Sequence, residues 1–215
     1  MSKVVMSKGR LEAFSDGVLA IIITIMVLEM KVPHTDSLQS LQPLIPVFIS
    51  YVLSFIYIGI YWNNHHHMMH AAQHVNGAIL WANSLLLFWL SLVPFVTAWM
   101  GENHFSTWPV ILYGMVLLMA AISYYVLAHN LTSLHGKDSL FSRSLGSDQK
   151  GKISMLFYVA GIGLSFFHPL LGFGIYVLVA GIWFKPDTRF EKPVEMNDVN
   201  GPLEGNTHKK SLPQS

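Results

Sequence analysis

Arg10, Ser15 and Asp16 stand in the first turns of a segment that runs on, almost purely apolar, from Gly17 to Leu28. A guanidinium, a hydroxyl and a carboxylate at the mouth of an apolar helix are costly unless partnered. They therefore mark an ion pathway, a proton relay or a buried polar lock. A second polar group follows as Trp62, Asn64, His65 and His66, and a third as Trp81 and Asn83. Buried charge needs partners, so the three groups read as one hydrogen-bonded network joining the first helix to the next two. The same residues also suit static anchoring at the membrane interface, where tryptophan collects. Histidine titrates near neutral pH, so a network of this kind is a candidate pH sensor.

His65, His66, His67, His70 and His74 raise the question of a metal. Helical i, i+4 spacing in the pairs 66/70 and 70/74 would let two imidazoles grip a divalent ion. Membrane oxidases of the di-iron type need several such boxes. Here the other histidines within the apolar region, His34, His104, His129, His135 and His168, are isolated. No His-Glu-x-x-His motif occurs, and with no cysteine there is no thiolate ligand or nucleophile. The reading is of a protein that is not an enzyme and has no cofactor, with adventitious metal binding at His66, His70 and His74.

The elements that position these residues are membrane helices. Of 215 residues, 52% are hydrophobic and 12% charged, and mean hydropathy is +0.44. A soluble domain carries about twice that charged fraction. The near-zero net charge gives no electrostatic reason for a nucleic-acid partner. A spanning helix needs about 20 mostly apolar residues. Spans are predicted at about 11–30, 42–62, 77–100 and 108–129. The charge-free stretch 153–184 is too long for one helix. His168-Pro169 offers a break, because proline removes a donor and clashes with the preceding turn, so two further spans are predicted at 152–167 and 169–185.

Six spans place both termini on one side. Of the 13 lysines and arginines, only Lys31 then falls on the other side, so the positive-inside rule makes both termini cytoplasmic. One domain over 1–185 and a disordered cytoplasmic tail over 186–215, polar and rich in Pro, Gly and Asn, complete the expected plan. Pro46 and Pro94 are expected to kink spans two and three. Gly161, Gly163, Gly172 and Gly174 are expected to let spans five and six pack closely.

On the first helix Ile21, Ile25 and Leu28 share a face, with Phe14 and Val18 below them and Thr24 on the flank. Glu12 and Asp16 point the other way, toward the body of the subunit. A uniformly apolar stripe suits a pore wall. It equally suits packing against lipid or neighbouring helices, since the segment is apolar nearly all round.

Arg10-x-x-x-Phe14-Ser15-Asp16 followed by Ala20-Ile21-Ile22-x-Thr24 resembles the first-helix signature of the endo-lysosomal potassium channel family, transmembrane protein 175, and its prokaryotic relatives. Tyr61-Trp62-x-Asn64-His65-His66, Leu80-Trp81-Ala82-Asn83 and Phe88-Trp89-Leu90-Ser91-Leu92-x-Pro94-Phe95 extend the resemblance. It implies an all-α membrane protein in the cell membrane, a homotetramer whose four first helices line a central pore. It further implies potassium as the permeant ion, a constriction at Ile21, Ile25 and Leu28, and a role for Thr24 in potassium preference. The Thr-Val-Gly-Tyr-Gly filter of other potassium channels, which replaces hydration water with carbonyl oxygens, is absent from the sequence. An aliphatic ring acts only by narrowness and dewetting, which favours the more easily dehydrated potassium ion. The alternative reading is a proton-coupled secondary transporter that uses Asp16 and the span-two histidines. Such carriers commonly show two related halves, and no internal repeat is visible here.

Overall fold

The structure is a computed structural model that describes residues 8–136 and 149–184. Every regular element among them is helical. Helix α1 covers Gly9–Leu28, and a 3-10 helix, Leu38–Leu44, leads into α2, Ile45–Ala71. Then come α3, Gly77–Ser91, α4, Val93–Glu102, and α5, Thr107–His135. A final hairpin pairs α6, Gln149–Ser165, with α7, Pro169–Phe184. The expected tail, and the cations from Lys185 onward, lie outside the described residues, as do Lys3, Lys137 and Arg143.

Four segments are long and apolar enough to cross a bilayer: Gly9–Leu28, Leu38–Ala71, Gly77–Glu102 and Thr107–His135. At about 1.5 Å per residue, the 17 residues of α6 and 16 of α7 reach only about 24–26 Å, short of a hydrocarbon core of about 30 Å. The break between them falls at Phe166-Phe167-His168, immediately before Pro169.

The prolines act at helix boundaries. Pro46 sits in the first turn of α2 rather than kinking it, because proline fits where the amide proton has no partner in any case. Pro94 takes the same position in α4, so the third predicted span is two helices that meet at Leu92. Helix α2 runs nine residues past its predicted end at 62, to Ala71, and carries His65, His66 and His70 beyond the apolar stretch. Asn76 starts α3, its side chain accepting from the Ile79 amide at 3.0 Å.

Without a hydrophobic drive inside lipid, helices are held by close packing and polar contacts. Tyr57, Tyr113 and Tyr176 are fully buried where α2, α5 and α7 meet. Tyr57 Oη donates to the Tyr176 carbonyl at 2.6 Å, and Ser54 Oγ lies 2.6 Å from Thr97 Oγ1 and 3.0 Å from Tyr113 Oη. Gly161 and Gly172 are required by the α6–α7 contact: a methyl group at Gly161 would strike Tyr176, and one at Gly172 would strike Ser165 and the Gly161 carbonyl. Gly163 and Gly174 face open space, which corrects the expectation that all four glycines serve this packing.

Candidate functional site

Helix α1 has two unlike faces. Leu11, Ser15, Leu19, Ile22 and Met26 recur every three or four residues and are buried against the other helices. Across the helix, Phe14 is 61% exposed, Ile21 58%, Ile25 40% and Leu28 79%, with Val18 half-buried. The chain thus presents a charge-free apolar stripe that its own helices leave largely exposed. Thr24 is exposed beside this stripe, and its hydroxyl donates to the Ile21 carbonyl at 2.9 Å. With the proton bound back to the helix, the lone pairs of Oγ1 remain available to an outside partner.

The buried face carries a chain of three side chains from three helices. His65 Nε2 lies 2.8 Å from Asn83 Oδ1, Asn83 Nδ2 donates to Ser15 Oγ at 2.9 Å, and Ser15 Oγ donates to the Leu11 carbonyl at 2.8 Å. An amide oxygen only accepts, so His65 donates from Nε2. The chain therefore runs one way, from α2 through α3 to α1. Ser15, Asn83 and His65 are exposed by 0%, 2% and 3%, so each bond replaces hydration that none of them otherwise has.

Asp16 belongs to a separate contact. Its Oδ1 accepts from Trp62 Nε1 at 3.0 Å on the exposed side of the α1–α2 seam. The Trp62 ring stacks on His66 at 5.8 Å between centroids, and His66 stacks on His70 at 6.2 Å. Lys8 adds a third tie that sequence reasoning missed. Its ammonium donates to the Met69 and His70 carbonyls at 2.7 and 3.0 Å, where a helix C-terminus leaves such groups unsatisfied.

Three residues expected in the network stand apart from it. Arg10 is exposed and makes no hydrogen bond or ion pair with a described residue. At 100° per residue it points well away from Asp16, so the two do not meet across their six-residue separation. Asn64 turns back into its own helix, donating from Nδ2 to the Ile60 carbonyl at 2.8 Å. Trp81 is 79% exposed.

The histidine cluster is also divided. Only the 66/70 pair keeps helical spacing, because α2 ends at Ala71 and His74 lies in the following extended segment. There the Gln73 and His74 amides donate to His135 Nε2 at 3.0 and 3.4 Å, so His135 is not isolated either. Among the described residues no three His, Asp or Glu side chains gather as a metal site.

At the opposite end of α1, Lys31 Nζ pairs with Glu102 Oε1 at 2.8 Å. The hydrogen bond and charge of Glu102 raise the Lys31 pKa above the ordinary lysine value. This pair links the chain just beyond α1 to the end of α4. The sequence assigned Glu102 no role.

The family model for the endosomal/lysosomal potassium channel TMEM175 matches residues 10–94, the stretch that holds the stripe and both polar contacts. A potassium channel of Chryseobacterium sp. (strain P1-3) is 55% identical over 192 residues, 89% of this chain and 100% of that one. A potassium channel of Streptomyces collinus is 36% identical over 132 residues, 58% of this chain and 64% of that one. The crystal structure of a lysosomal potassium-selective channel TMEM175 homologue from Chamaesiphon minutus superposes with a TM-score of 0.71 at 30% identity. The match covers 82% of this chain and 96% of that one.

Proposed function

The chain belongs to the TMEM175 family of potassium channels, and on that premise we propose that it is a homotetrameric, potassium-selective channel of the cell membrane whose pore is lined by α1. Six spans with both termini cytoplasmic complete the reading, the short helices α6 and α7 forming the last two with local thinning of the bilayer around them. The observation that carries it is the exposed, charge-free stripe of Phe14, Ile21, Ile25 and Leu28 on a helix whose other face is fully engaged. Four copies of that stripe around an axis make a narrow apolar throat. Hydrated ions cross such a throat only by losing water, at a smaller cost for potassium than for sodium. Thr24, one turn from both Ile21 and Leu28, offers hydroxyl oxygen at its edge.

The ties to α2 and α3 set the tilt of α1 and hence the width of the throat. The buried chain Ser15–Asn83–His65 fixes the inner end, the Asp16–Trp62 bond and Lys8 steady its flank, and Lys31–Glu102 holds the outer end. Purified protein fused into a planar bilayer tests the whole reading. Unitary current steps that reverse toward the potassium equilibrium potential, from a particle with four subunits, are the expected result. A monomeric particle, or saturable transport without current steps, overturns it.

A further inference from the structure

We propose that the cleft between α2, α5, α6 and α7 is a binding site for one anionic phospholipid, with the phosphate held by Lys150, the nearby charge of Lys152 adding attraction, and the end of an acyl chain inside the cleft. The cleft has a cavity volume of about 40 Å³, and its walls include Ile60, Tyr61, Ala121, Tyr125, Met155 and Trp183. These walls are almost wholly aromatic and aliphatic, and none of the lining residues is a carboxylate. That volume is far too small for another helix, which is about 10 Å across, but it admits an alkyl chain end.

The mouth is cationic. Lys150 Nζ sits 5.8 Å above the centre of the Trp183 ring. Lys152, exposed two residues on, projects about 200° round the helix from it. The two therefore flank the lining face of α6, and Lys152 contributes charge without sharing the Trp183 seat. An ammonium on an aromatic face keeps N–H donors for an anion. The ring is itself fixed: Trp183 Nε1 donates to Ser154 Oγ at 2.7 Å, and Ser154 Oγ donates to the Lys150 carbonyl at 2.8 Å. Lysine, tryptophan and tyrosine together at a helix end are the side chains of the headgroup layer. A basic pocket between spans on the cytoplasmic side is the usual seat of an acidic lipid head. The placement of this mouth at headgroup depth rests on the six-span topology proposed above.

The test uses the full-length protein, purified, stripped of lipid and offered phosphatidylglycerol or phosphatidylcholine with identical acyl chains. Bound lipid is counted by native mass spectrometry. Each lysine near an anionic headgroup contributes about fivefold in affinity, so a phosphatidylglycerol preference of about tenfold or more is expected. The preference should vanish in the Lys150→Gln/Lys152→Gln double variant, whose side chains are not part of the packed interior. Filling the cleft by Ala121→Leu, or independently by Met155→Trp, should abolish retention with both lysines intact. Equal retention of the two lipids by the unaltered protein, or an unchanged preference in the lysine double variant, overturns the site. Full retention in the cleft-filling variants overturns the placement of the acyl chain. Unitary potassium currents recorded from the same preparation keep a failure here distinct from a failure of the channel reading, since neither lysine lies on α1.

Discussion

Asn83 donates through Nδ2 to Ser15 Oγ at 2.9 Å while its Oδ1 lies 2.8 Å from His65 Nε2. One amide on α3 therefore holds both the buried face of α1 and the inner end of α2. Replacing it with an apolar residue of like size leaves the buried His65 Nε2–H without an acceptor and also removes the donor to Ser15 Oγ, which keeps its own bond to the Leu11 carbonyl. Each unsatisfied buried group costs about 1–3 kcal/mol. Asn83→Leu is therefore expected to destabilise the protein more than Ser15→Ala, which removes the Asn83 amide's partner alone. Thermal unfolding followed by size exclusion checks the order, and equal loss in the two variants would show that the chain is not shared through Asn83.

The Asp16–Trp62 bond lies on the exposed side of the same seam, so its loss should be milder. A hydrogen bond to a charged group contributes about 1.5–3 kcal/mol when well formed, and solvent access reduces that. Trp62→Phe keeps an aromatic ring beside His66 and deletes the donor. It and Asp16→Ala should both assemble normally yet share one altered open probability in single-channel records, with potassium preference unchanged. If either variant instead changes which ion passes, Asp16 faces the permeation path.

The contrast between the two seams shows how far the sequence could be read. The long apolar stretches and the proline before α7 located the helices, because spanning length and the missing amide proton leave few alternatives. That Ser15, His65 and Asn83 share one network was legible from their types and their place at one end of three spans. The direct Asn83–Ser15 bond was not, since 68 residues separate the two and only the docking of α3 brings them together. Arg10 and Asp16 were assigned to one network because both are charged, whereas rotation along the helix separates them. Trp62, with an indole donor at the same level of α2, takes the place expected of arginine. The α2 overrun to Ala71 escaped notice because His65-His66-His67 ends the apolar signal without ending the helix.

Ile21 is 58% exposed at the middle of the stripe. Ile21→Asn is smaller and introduces groups that hold water. It should wet the narrow point, raise conductance and lower the preference for potassium over sodium. Reversal potentials under opposed potassium and sodium gradients report this directly. An unchanged ratio in a well-assembled variant removes Ile21 from the throat and leaves the stripe as a lipid or subunit contact.

Thr24 separates the two sources of selectivity. Its proton is committed to the Ile21 carbonyl at 2.9 Å, so only the oxygen lone pairs face outward. Thr24→Val matches the shape, keeps the β-branched rotamer and deletes that oxygen. Because the side chain is exposed within the subunit, unfolding temperature should change by no more than a surface substitution does, about 0.5 kcal/mol in stability. If hydroxyl oxygen assists dehydrating potassium ions, the permeability ratio falls while the tetramer persists. Thr24→Ser, which restores the oxygen without the methyl group, should then recover most of the ratio. A ratio that survives the valine intact assigns selectivity to the aliphatic rings alone, and one lost equally in valine and serine shows that the hydroxyl oxygen and the methyl group are both required.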